Sequence, residues 1–163
     1  MGPVYHILMI PLLFLIYIQD WKHRAVHWIL FPLLAADAFL IFLSRDGDML
    51  TAGLNLTFVA IITGVLFCYV ALREQRWTNI FKAHFGLGDL LFFIAISPLF
   101  GRENFMLFFI SGMFFSLILH LIISVIKQIG HVPLAGYLAM YILMIDVTGW
   151  CLNKNLFIEK ILP

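Results

Sequence analysis

Long apolar runs alternate along the chain with short polar breaks, at intervals that suit helices crossing a membrane. The first run covers residues 3–20 and gives way to residues 21–27, which hold Lys22, Arg24, His23 and His27. The second covers residues 28–43 and ends in Ser44-Arg45-Asp46-Gly47-Asp48; the third covers residues 54–72. The longest polar stretch follows, residues 73–84, and the fourth run opens inside Gly86-Leu87-Gly88-Asp89 and ends near residues 98–101. A fifth run covers residues 105–126, and after a loop of residues 127–136 the sixth covers 137–151. A helix needs ~20 apolar residues to cross a ~30 Å hydrocarbon core. In lipid each segment must satisfy its own backbone groups, so continuous apolar runs predict helices. A membrane barrel would instead alternate over segments of ~10 residues. The pattern predicts an all-α, polytopic membrane protein with six transmembrane helices in a single domain, residues 1–163.

Composition removes the alternative of a soluble domain: 63% of the residues are hydrophobic and 12% charged, and the loops are too short to bury a core. A net charge of +1 gives no reason to expect a nucleic-acid partner. Cys68 and Cys151 lie in different runs, fit no zinc-ligand spacing, and are expected as small buried residues. The first run has no basic segment ahead of it and no small-residue cleavage site, so it is expected as a retained span. Charge does set an orientation. The loops after runs one, three and five hold Lys22, Arg24, Arg73, Arg76, Lys82 and Lys127, whereas those after runs two and four hold Arg45 and Arg102, to which the C-terminal tail adds Lys154 and Lys160, a modest bias. By the positive-inside rule both termini lie outside and the basic loops meet the cytoplasmic face and its anionic lipid. Asp20 and Asp89 then reach that same face.

These two acids carry the chemistry. A carboxylate at the end of an apolar run is costly without a partner or a task. Two carboxylates close enough to share a proton can hydrolyse a peptide: the ionised one takes a proton from water, the protonated one polarises the scissile carbonyl. Like charges that close titrate as a pair, in two steps. Gly86 and Gly88, lacking a Cβ, allow a sharp turn and the close approach of another chain. On these residues the chain reads as an intramembrane aspartyl peptidase, with Asp20 and Asp89 catalytic, Gly86 and Gly88 shaping the site, and no metal or cofactor.

Asp20 ahead of a basic loop, with Gly86-Leu87-Gly88-Asp89 opening the fourth span, resembles the type IV prepilin peptidases, the GxGD aspartyl proteases that include the archaeal preflagellin peptidases. The resemblance covers nearly the whole chain. It implies that Asp20 and Asp89 form the dyad and that the substrate is a pilin-like precursor. It also implies cleavage of the short basic leader on the cytoplasmic side, just before the precursor's hydrophobic helix, by an enzyme of the cytoplasmic membrane. Val132-Pro133-Leu134-Ala135-Gly136 is similar to the family's proline-containing loop, which makes Pro133 a further residue shaping the substrate site. The methyltransferase insert of the larger bacterial members is absent, so amino-methylation is not implied. Two positions depart from the family pattern: Leu91 stands where a lysine is common, and Val26-His27-Trp28 replaces an Ile-Pro-Asn-like sequence.

Other residues invite other readings. Asp37 and Asp146 fall deep in their runs, where acids often serve ion or proton pathways, and His120 could partner one of them. A small ion- or proton-coupled transporter is the alternative they suggest, and a non-catalytic assembly protein is another. Their ordinary reading is a side chain hydrogen-bonded between helices. The phenylalanine doublets at 92–93, 108–109 and 114–115 are expected to pack helices or face lipid, and Trp28, Trp77 and Trp150 to anchor at the interface. The oligomeric state has no signature in the sequence.

Overall fold

The computed structural model describes residues 6–74, 86–126, 133–152 and 157, and the described residues are helical almost throughout. Six α-helices follow one another: α1 (His6–His23), α2 (Leu30–Ser44), α3 (Met49–Glu74), α4 (Leu87–Ile96), α5 (Arg102–Ile126) and α6 (Leu134–Leu152). A 3-10 turn, Ser97–Leu99, prolongs α4. Windows of α3, α5 and α6 are long and apolar enough to cross a membrane; α2 and α4 with its turn are shorter apolar helices. The apolar helices and their length make this an integral membrane protein, with fewer full-length spans among the described residues than the six expected. Arg73 to His84, with Trp77, and the loop carrying His131 lie largely or wholly outside the described residues.

Helix starts depart from the hydropathy pattern where polar residues cap them. α3 begins at Met49, not at residue 54, because Asp48 caps it: the Leu50 N–H donates to Oδ1 and the Thr51 hydroxyl to Oδ2, both at 3.1 Å. α5 begins at Arg102 rather than 105, and α6 at Leu134 rather than 137. The last shift matters most, since it makes residues 134–136 a helix start instead of a loop. At its other boundary α4 stops at Ile96 because Pro98 lacks an N–H and disfavours helix before it.

α4 is the hub. It packs against α2, α3 and α6, while α1 lies along α6 and α2, and α5 bridges α3 and α6. Phe92, Phe93, Ala95 and Ile96 of α4 are buried, whereas Leu87, Leu91 and Ile94 face outward. Around this hub the core is aromatic. Phe93 meets Phe109 at 5.0 Å, Phe100 stacks on Phe108 at 4.7 Å, and Tyr141 stacks on Phe115 at 5.0 Å. Of the doublets, 92–93 is buried and Phe114 faces out. Trp28 and Trp150 are exposed. Cys68 and Cys151 are exposed too, contrary to expectation: they sit on outward faces of α3 and α6, where a thiol meets lipid at no cost.

One buried polar contact pins the end of the bundle remote from Asp20. The Asn55 side-chain amide of α3 donates to the Ser97 and Phe100 carbonyls, at 3.0 and 2.9 Å. These carbonyls follow α4, where the 3-10 turn leaves them without helical donors. Asn55→Ala strands both in a buried site, and an unpaired buried group costs ~1–3 kcal/mol. The variant is expected to melt earlier in detergent, as read by circular dichroism; an unchanged midpoint would show the pin to be dispensable.

Candidate active site

Three helix ends meet at one end of the bundle: the last turn of α1, the first turn of α4 and the first turn of α6. α1 runs three residues past Asp20, and its final bonds include the Arg24 N–H to the Asp20 carbonyl at 2.9 Å. The following loop is tied back by the His27 N–H, which donates to the Gln19 side chain at 2.9 Å. Tyr17, Asp20 and Trp21 therefore share one face, by i, i+3 and i, i+4 spacing. That face turns to α6, and Asp20 is 8% exposed there.

α4 explains the spacing of its glycines. Gly86 is the N-cap, with extended backbone (φ −67°, ψ 127°), so Leu87, Gly88 and Asp89 occupy the first three helical positions. An acid at the third position can reach back to the N-cap N–H, the reciprocal half of a capping box. Asp89 does this, its carboxylate meeting the Gly86 N–H. A Cβ on Gly86 would lie 2.9 Å from Asp89 Oδ2, so only glycine leaves that carboxylate its place. Gly88 faces α2: a Cβ there would lie 3.4 Å from Phe31 Cζ, an ordinary contact. Leu91 stands two residues, about 200° around the helix, from Asp89 and is exposed on the outer surface. The position where relatives often carry lysine thus points away from the acids.

α6 supplies the third part, which the hydropathy pattern had hidden in a loop. Pro133 is buried and its carbonyl accepts the Tyr137 N–H at 3.1 Å, so the N–H groups of residues 134–136 have no intrahelical acceptor. Two of them meet the acids. The Gly136 N–H donates to Asp20 Oδ2 at 2.6 Å, and the Ala135 N–H meets the Asp89 carboxylate. Each acid thereby caps α6 from a different helix, and the positive end of the helix dipole faces both. The two carboxylates are also close enough to feel each other's charge. A Cβ on Gly136 would lie 3.1 Å from both Cβ and Oδ2 of Asp20, so glycine is what lets α1 come this near. Sequence reasoning placed Pro133 near the site but missed Ala135 and Gly136, which act through backbone N–H groups; a proline followed by small residues is the helix-start signal that could have found them.

The other candidates lie apart. Asp37 is buried within α2. Asp146 interacts electrostatically with Arg45, which follows α2 at the opposite end of the bundle. His120 Nδ1 is buried without a hydrogen-bond partner among the described residues. Among the described residues no three His, Cys, Asp or Glu side chains gather as a metal site would require; His84 and His131 lie outside them.

Between α3 and α4 lies an apolar groove of about 510 Å³. Leu56, Ala60, Gly64 and Cys68 line it from α3, and Leu90 and Ile94 from α4.

Comparison with known proteins yields one family match. The sequence profile of the type IV leader peptidase family matches residues 7–125, a stretch that contains both Asp20 and Asp89 and stops short of α6. No curated protein and no solved structure matches the chain.

Proposed function

The chain belongs to the type IV leader peptidase family, and from that premise we propose that it is an aspartyl endopeptidase using Asp20 and Asp89 to remove the leader of pilin-like precursors. Family membership makes it a leader-peptidase-like protease of the membrane. The finer reading is carried by one observation: carboxylates from two helices converge on consecutive N–H groups, of Ala135 and Gly136, and feel each other's charge. Two carboxylates held in this way share one proton. Asp20, held by the short charge-assisted bond from Gly136, serves as the base that deprotonates water. Asp89, facing that charge, carries the proton that goes to the scissile carbonyl. The positive-inside pattern puts this end of the bundle at the cytoplasmic face of the cytoplasmic membrane, where a basic leader would present itself.

The reading also gives the groove an occupant. Leu90, the residue after Asp89, forms its wall, so an apolar helix lying between α3 and α4 would bring its cytoplasmic end to the acids. A Cβ on Gly64 meets nothing within 4 Å. Gly64→Phe should therefore fold, with a gain in helix propensity of a few tenths of a kcal/mol, while filling the groove. It is expected to raise KM for a full-length precursor several-fold and to leave a short leader peptide without the helix unaffected. Equal effects on both substrates would place the precursor elsewhere.

The direct test is incubation of the detergent-solubilised chain with a panel of pilin-like precursors, with the products read by mass spectrometry. A single cut immediately before the hydrophobic helix is the expected result. Cleavage elsewhere, or none across a panel of varied leaders, would overturn the substrate assignment. The acid-to-asparagine variants taken up in the Discussion test the dyad.

A further inference from the structure

Beside the two acids lies a buried polar atom that bonds to no protein group among the described residues. Tyr137 is wholly buried, and its Oη has no hydrogen-bond partner among the described residues. An unpaired buried hydroxyl costs ~1–3 kcal/mol, and such groups in folded proteins generally have a bound oxygen or a chemical task to explain them. The named neighbours of Tyr137 adjoin Asp20. Tyr137 follows Gly136, whose N–H holds Asp20. Its ring lies against Trp21, the residue after Asp20, with centroids 6.1 Å apart. The phenol is within electrostatic reach of Asp20 and of Tyr17. Asp20 thus has within its electrostatic reach a hydroxyl that does not bond to it among the described residues.

We infer that Tyr137 is a third catalytic residue, its hydroxyl donating a hydrogen bond to the carbonyl oxygen of the scissile peptide as that oxygen gains charge. The inference rests on the peptidase reading above. In the hydrolytic step the water oxygen bonds to the carbonyl carbon and one water proton passes to Asp20. The carbonyl π pair moves onto oxygen, which takes the proton of Asp89. In the collapse that follows, the amide nitrogen takes the proton held by Asp20, the C–N bond breaks to release the amine, and one hydroxyl of the diol returns its proton to Asp89. Tyr137 keeps its own proton throughout and contributes only the hydrogen bond, as a phenol can without ionising. A donor fixed by burial needs no reorganisation as the charge develops, which is why such groups weigh on kcat rather than on binding.

The test is steady-state cleavage of a precursor by the full chain in detergent, across pH, comparing the parent with Tyr137→Phe. Tyr141→Phe is the control, since that ring sits one turn further on, stacked on Phe108 and Phe115. Loss of one oxyanion donor typically lowers kcat ~10²–10³-fold. Tyr137→Phe is expected near the lower figure, with KM within about twofold and both limbs of the pH profile in place; Tyr141→Phe should match the parent. A kcat for Tyr137→Phe within about threefold of the parent overturns the inference. So does a displaced acidic limb with kcat retained, the mark of a hydroxyl that serves Asp20 in the free protein. If Tyr137→Phe does not fold, a fluorinated tyrosine at position 137 keeps the volume while strengthening the donor; kcat must change with it, and an unchanged kcat overturns the inference equally. Asp20→Asn is run in parallel. A parent that cuts and an Asp20→Asn variant that does not sustain the peptidase reading whatever Tyr137 does, whereas a parent that cuts nothing takes both down.

Discussion

Asp20→Asn and Asp89→Asn are each expected to abolish precursor cleavage while leaving the protein folded. A positioned acid or base contributes ~10²–10⁴-fold to a proton-transfer step, and here each carboxylate would serve as one while tuning the other. The losses should not add: with either acid gone the shared proton has no second site, so the double variant should be no slower than the worse single one. Stability is a separate matter. Asn caps helices about as well as Asp, so an amide oxygen at position 20 can still accept the Gly136 N–H that now bonds at 2.6 Å. The melting midpoint in detergent is therefore expected to stay close to the parent's. Single-turnover cleavage and thermal melting on the same preparations decide the matter. If either variant kept most of its activity, the dyad would be wrongly assigned; if activity and folding fell together, the acids would be structural caps.

Glycine substitutions should separate the parts of the site. Gly136→Val is expected to be the most damaging. Even the first carbon of a side chain would stand 3.1 Å from two atoms of Asp20, which is itself bonded to the same residue's N–H and cannot retreat without stretching that bond. Overpacking of this kind costs ~1–3 kcal/mol, and the displaced acid should lose at least ~10²-fold in kcat, since small misplacements of reacting groups have effects of that size. Gly86→Ala should behave differently. Its Cβ would meet only the tip of the Asp89 side chain, at 2.9 Å. That tip can rotate away, so activity should fall with little loss of stability. Gly88→Ala, 3.4 Å from the Phe31 ring, should be close to neutral in both. Melting midpoints and kcat/KM across the series measure this ordering. A Gly136→Val variant as active and stable as Gly88→Ala would mean that α1 and α6 do not approach as closely as 2.6 Å implies.

The groups named here act at one end of a bundle whose other end is pinned by Asn55. Leu90, the residue after Asp89, lines the apolar groove between α3 and α4.

The sequence by itself determined that this chain is helical and lives in a membrane, because uninterrupted apolar runs in lipid leave the backbone no other way to bond. It also determined which acids stand out: Asp20 and Asp89 break apolar runs at places where only a partner or a task offsets the cost of a carboxylate. Even the Gly86-to-Asp89 spacing was legible, being a local matter of an N-cap and the third residue of the helix it starts. What the tertiary structure alone decided is what these acids face. The donors that hold them are backbone N–H groups of Ala135 and Gly136, more than forty residues from Asp89 along the chain, and a backbone N–H leaves no mark in a sequence. Hydropathy assigned those residues to a loop, since a helix start next to a polar stretch looks like loop until its capping groups are seen, and here the caps come from two other helices. That Gly88 lies against Phe31 of α2 was likewise beyond sequence reasoning, since only the packing of the two helices decides it.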